Sequence, residues 1–236
     1  MGRIFEKRKH TMFARYAKMA KAFTRIGKDI AMAVKTGGPN PDTNPRLRIV
    51  IQNAKAVNMP KTNVDAAIKR ASDKDTSNYE EIIYEGYGPH GVPVLVECTT
   101  DNPTRTVANV RMHFNREGGA LGTNGSVSFM FDRKVLFKVA SAGLNRGEIE
   151  FELIDFGGEE FTWDDESGEL IIQVPFTEFG NMQKGLEEKK IEIKETSKVF
   201  ITNMHKELTD EQELDLKKLI DRLEEDDDVV AVYHNA

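Results

Sequence analysis

The chain predicts an α+β protein of three units, and three features of the sequence carry that expectation. Residues 1–72 show apolar spacings of three and four, broken only by Gly/Pro clusters, with no strand-like run. From Ile82 onward, short runs of alternating or continuous apolar residues are interleaved with short helical patterns. Within residues 133–202 the order reads β-α-β-β-α-β, the ferredoxin-like split arrangement.

The first unit is expected over 1–75. Tyr16, Met19, Phe23, Ile26 and Ile30 form one stripe of a helix spanning 18–36. Lys18, Lys21, Arg25 and Lys28 form a second stripe on nearly the opposite side, spaced 3, 4 and 3. Gly37-Gly38 ends the helix, and Lys35 suits its last turn. Residues 1–17 are basic with scattered aromatics, and read as disordered or as a frayed helix. Asn44-Pro45 starts a second helix, with Asn as the cap and Pro in the first turn. Leu47, Val50, Ile51 and Ala54 form its inner side, and Asn58-Met59-Pro60 breaks it. A third helix over Lys61–Ala71 turns Val64, Ala67 and Ile68 inward. The polar run Ser72–Tyr79 marks the boundary.

The next unit begins with strands at Ile82–Tyr87 and Val92–Cys98, joined by a Gly/Pro turn. Asn102-Pro103 repeats the helix start, followed by Val107, Val110 and Phe114 at helical spacing. Gly118–Gly125 reads as a flexible loop and Ser126–Phe131 as a strand. Beyond Arg133, Val135, Phe137 and Val139 alternate as a strand, and Arg146–Asp155 is helical. Strands at Phe161–Trp163 and Leu170–Val174 flank an acidic turn. Phe176–Lys189 is helical, and a strand resumes at Ile191. Thr209 with Gln212 forms a capping box for a helix carrying Leu214, Leu219, Ile220 and Leu223. Val229–Tyr233 is the last strand.

Charge is segregated along the chain. Residues 1–72 hold 16 Lys and Arg against 4 Asp and Glu, a net of +12. The remainder holds 17 against 35, a net of −18. This points to an arm that meets a polyanion and a body that does not. No apolar run approaches the ~20 residues of a membrane span, and MGRIFEKRKH lacks the apolar segment of a secretory signal. The single Cys98 sits in an apolar strand and reads as a buried structural thiol, consistent with a cytoplasmic protein. The five histidines are scattered without metal-ligand spacing. The glycine loop lacks the Lys-Ser/Thr of a P-loop. These readings predict no enzyme, no metal and no cofactor.

The basic arm implies phosphate contacts on DNA or RNA, which need little sequence preference. Asn53, Asn58 and Asn63 are candidates for reading base edges. The loop after the first helix is long for a helix-turn-helix.

Several ordered stretches resemble the YebC/PmpR family, which includes the mitochondrial translational activator of cytochrome c oxidase subunit I. They are Lys21-Ala22-Phe23-Thr24-Arg25, Asn44-Pro45-Arg46-Leu47-Arg48, Asn58-Met59-Pro60-Lys61, Tyr84-Glu85-Gly86-Tyr87-Gly88-Pro89-His90-Gly91, Asp101-Asn102 with Arg105-Thr106, Gly125-Ser126-Val127 with Met130-Phe131, and Val232-Tyr233-His234-Asn235. The sequence departs from many members near its start, where Arg3-Ile4-Phe5-Glu6 stands in place of a His-Ser-Lys-Trp segment. The resemblance implies that the unit of 133–202 is inserted into a middle α/β domain of 76–132 and 203–236. It also implies a cytoplasmic DNA-binding transcriptional regulator without catalytic residues. The alternative it implies is a ribosome-associated translation factor that contacts ribosomal RNA and relieves stalling at proline-rich stretches. Lys18, Lys21, Arg25, Lys28, Arg46, Arg48, Lys61, Lys69 and Arg70 are the expected phosphate contacts. Nucleic acid, with the ribosome as a candidate, is the expected partner; no membrane is expected, and the oligomeric state is left open.

Overall fold

A computed structural model describes residues 3–73, 78–202 and 204–236, with side chains described from Met19 onward. The chain divides into two compact units, 1–80 and 81–236.

The first unit is three helices. Helix α1 (Arg3–Gly37) is a single 35-residue element, where the sequence suggested a start at residue 18. Helices α2 (Pro45–Ala56) and α3 (Lys61–Ser72) both pack against it. The core joins Ile26, Ile30, Ala33 and Val34 of α1 to Leu47, Val50 and Ala54 of α2 and to Val64, Ala67 and Ala71 of α3.

Asn44 fastens this unit together. Its Oδ1 accepts from the Leu47 N–H at 3.0 Å, capping α2. Its Nδ2 donates to the carbonyls of Ala33 and Gly38, each at 2.8 Å, at the end of α1. The fit requires glycine at 37, where a Cβ would lie 2.7 Å from Asn44 Cγ. Gly38 follows with φ +84°, the left-handed turn that ends the helix.

The second unit holds two four-stranded sheets. The first contains β1 (Glu80–Tyr87), β2 (Pro93–Thr100), β3 (Ala120–Leu121) and β8 (Val229–His234), in the order β3-β1-β2-β8. Val94, Val96 and Cys98 of β2 face α4 (Pro103–Arg116) and α7 (Asp210–Glu225), meeting Val110, Phe114, Leu216, Leu219 and Leu223. Cys98 is buried in this core. The buried Asp228 carboxylate ties the start of β8 to α4, accepting from Thr106 Oγ1 at 2.9 Å and Arg105 at 2.7 Å.

The second sheet holds β4 (Asp132–Ala140), β5 (Glu160–Asp164), β6 (Glu169–Pro175) and β7 (Ile193–Ile201), ordered β5-β6-β4-β7 and antiparallel throughout. Val135, Phe137 and Val139 face α5 (Arg146–Ile154) and α6 (Phe179–Glu188). The element order β4-α5-β5-β6-α6-β7 is the split arrangement read from the sequence. On the far side of β2, Leu95 packs with Val127 and Phe131, and with Phe200 of β7. Thr209 and Gln212 form the capping box of α7.

The loop of 118–131 differs from its sequence reading. Ala120–Leu121 pairs with β1, and Ser128–Met130 is a 3-10 turn rather than part of a strand. The cause is Glu85, 7% exposed, whose carboxylate accepts from the backbone N–H groups of Gly125 (2.8 Å), Val127 (2.8 Å) and Ser128 (2.9 Å). Backbone donors committed to a side chain cannot join a ladder. Burial pushes the Glu85 carboxyl up, but the bonds from Gly125, Val127 and Ser128 outweigh it and hold the group below its usual range. A carboxylate held low in the fold stabilises it above the ordinary value of about 4.3, and that stabilisation is lost as pH falls through the folded value. The amides of 125, 127 and 128 should therefore lose hydrogen-exchange protection only as pH falls below the ordinary carboxylate range. In Glu85→Gln their protection should be lower at neutral pH and flat across the acid range.

Candidate nucleic-acid interface

The helical unit carries the basic residues, and its packing sorts them. Lys18 lies outside the residues whose side chains are described. Lys21 and Arg25 are half-buried on α1, at the spacing read from the sequence. Lys28 corrects that reading: it is 8% exposed, with Nζ 5.8 Å from the centre of the Tyr79 ring. Two helices cover α1 from Ile26 onward, so its buried arc takes in Lys28, Ala31 and Met32 as well as the predicted stripe.

The cations of α2 and α3 also divide. Arg46 is exposed. Arg48 is half-buried and braces the preceding loop, donating to the carbonyls of Asp42 (3.2 Å) and Pro41 (3.4 Å). Lys61, Lys69 and Arg70 are exposed on α3, and Arg70 Nε also reaches the Ala66 carbonyl at 3.3 Å.

A groove of about 790 Å³ runs between α1 and α3 within this unit. Lys28 and Arg70 line it together, 42 positions apart in sequence. Thr24 and Gly27 of α1 and Asn63 and Ala66 of α3 also line it, with Phe23 and Tyr79 as its aromatic members. Lys21 lies three residues before Thr24 and seven before Lys28, so the α1 stripe runs along the same helix face as the groove. Arg46, Arg48, Lys61 and Lys69 are not among the lining residues. Of the candidate base-reading residues, Asn63 lines the groove, whereas Asn53 lies in α2 and Asn58 sits in the turn after it with φ +57°.

Gly27 is the lining residue that sequence reasoning passed over. It stands inside α1, where glycine costs about 1 kcal/mol relative to alanine. A Cβ there would meet nothing within 4 Å. Packing within the chain therefore does not require glycine at this position, in contrast to Gly37.

Among the described residues no cluster of His, Cys, Asp and Glu is arranged to hold a metal ion, and no helix is long and apolar enough to cross a membrane.

A family model described as the TACO1/YebC protein N-terminal domain matches residues 3–74, and one described as the TACO1/YebC second and third domain matches 79–236. The chain belongs to the TACO1/YebC family. A probable transcriptional regulatory protein of Flavobacterium johnsoniae is 56% identical over 234 residues, covering 99% of this chain and 98% of the relative. One of the same description from Anaeromyxobacter dehalogenans is 53% identical over 238 residues, covering 100% and 99%. The crystal structure of a conserved hypothetical protein from Aquifex aeolicus matches with a TM-score of 0.77 at 35% identity, over 93% of this chain and 90% of that one.

Proposed function

We propose that this protein is a cytoplasmic, non-enzymatic regulator that binds DNA through its basic helical unit and acts on transcription. The observation that carries the reading is the charge segregation: +12 over residues 1–72 and −18 over the rest. The names of its relatives support the transcriptional role. Lys21, Arg25, Arg46, Lys61, Lys69 and Arg70 are the proposed phosphate contacts, with Lys18 on the same helix. Lys28 lines the groove beside them, and Arg48 contributes mainly by fixing the loop that starts α2. In this reading residues 133–202 form a domain inserted into the middle α/β domain.

A second reading, a translation factor on ribosomal RNA, is favoured by one feature. The net −18 of residues 73–236 would be repelled by a long duplex lying across them. Sedimentation of the tagged protein from gently lysed cells, with and without RNase, separates the two. Protein at the top of the gradient, with sequence-dependent duplex binding in a shift assay, is the expected result for the transcriptional reading. Co-migration with ribosomes that RNase disperses would replace it with the second. Failure to bind any nucleic acid would overturn both.

A further inference from the structure

We infer that the groove between α1 and α3 receives an unstacked base from a single strand of nucleic acid, whose backbone lies along the adjoining basic side chains. This rests on the nucleic-acid reading above and names the part of the ligand that the groove holds.

Gly27 supplies the first argument. Glycine is a weak choice inside a helix, and nothing within 4 Å would crowd a Cβ at this position. An absent side chain that the fold does not need leaves room for something outside the chain, as glycine does where a ligand must approach a backbone closely. The second argument is the lining. Gly27, Ala31 and Ala66 leave an uncluttered apolar surface, Phe23 and Tyr79 supply rings, and Asn63 supplies an amide. Its volume of about 790 Å³ lies in the range of small-molecule sites. A planar base uses such features: rings to stack on and an amide that can donate to and accept from its edge. The third argument is charge. Lys28 and Arg70 line the same groove, with Asp73 as its one carboxylate among the described residues, and residues 1–72 carry a net +12, which suits the phosphates attached to a base. Paired bases inside a duplex could not enter, and phosphate contact alone would need only surface cations. A single strand is therefore the ligand that uses both the groove and its surroundings.

The test uses the full chain and a graded series at position 27. The probe is a short single strand, made as DNA and as RNA, with a fluorescent purine analogue at its centre. A duplex of the same sequence is the comparison. Gly27→Ala should bind the single strand about threefold more weakly than the parent, because its methyl group already intrudes where glycine lets the base approach the backbone. Gly27→Phe should bind it about tenfold more weakly and lose the quenching of the analogue, while duplex affinity stays within about twofold. Thermal melting should place both variants at or above the parent, because each residue is a better helix former than glycine. Tyr79→Leu, which keeps an apolar contact with the core, should also reduce the quenching. Single-strand binding by Gly27→Phe within twofold of the parent would overturn the inference and leave the nucleic-acid reading standing. Equal losses on single strand and duplex would overturn it as well. A parent that binds neither probe would remove the functional reading and this inference together.

Discussion

Asn44→Ala should destabilise the helical unit by about 3 kcal/mol. The substitution deletes a helix cap, worth about 1 kcal/mol. It also removes the amide donor from the carbonyls of Ala33, where the bond is buried, and of Gly38, where it is part-buried, each bond worth about 1 kcal/mol. Asn44→Asp is the informative companion. It keeps the acceptor for Leu47 N–H but sets a carboxylate against two carbonyl oxygens, so it should be about as damaging. Hydrogen exchange reads the effect locally: amides of α2 should exchange roughly 100-fold faster in both variants. A change of less than about threefold in Asn44→Ala would mean that the three hydrogen bonds do not hold α1 to α2.

Charge reversal gives the second large effect. The variant carries Lys21→Glu, Arg25→Glu and Arg70→Glu, and leaves Lys28 in place because a carboxylate at an 8% exposed position would threaten the fold. Affinity for nucleic acid at low salt should fall by about 100-fold or more, and the log–log salt slope should shrink by about 3, since each lost phosphate contact removes roughly 0.9. The helical signal and melting temperature of the variant provide the control. Parent-like binding by a folded variant would show that these three side chains do not meet the phosphates.

Much of the fold was legible in short-range chemistry. Asn44-Pro45, Asn102-Pro103 and the Thr209–Gln212 box each announce a helix start through bonds made within three residues, and each is present. Strand alternation at Val135, Phe137 and Val139 identified the buried face of β4, because one side of that sheet is covered by helices. What escaped depends on distant partners. Gly118–Gly125 read as a flexible loop and Ser126–Phe131 as a strand because the carboxylate that orders this stretch belongs to Glu85, 40 residues before Gly125. Lys28 read as a surface charge because its spacing is that of Lys21 and Arg25. Its burial depends on groups distant in sequence, the Tyr79 ring beside its Nζ and α3 across the groove. The groove itself could not be read, since Lys28 and Arg70 meet only through the packing of α1 on α3. Gly27 carried a faint signal: a glycine within an otherwise good helical pattern, which invites the question of what it leaves room for.

The claim that the basic helical unit grips phosphates is tested most directly by titrating full-length protein with a labelled duplex over a range of salt concentrations. With the six proposed side chains of the described residues neutralising phosphates, log Kd plotted against log salt concentration should rise with a slope of about 5, the association constant falling by the same exponent. A slope near zero, or no measurable binding at the lowest salt, would contradict it.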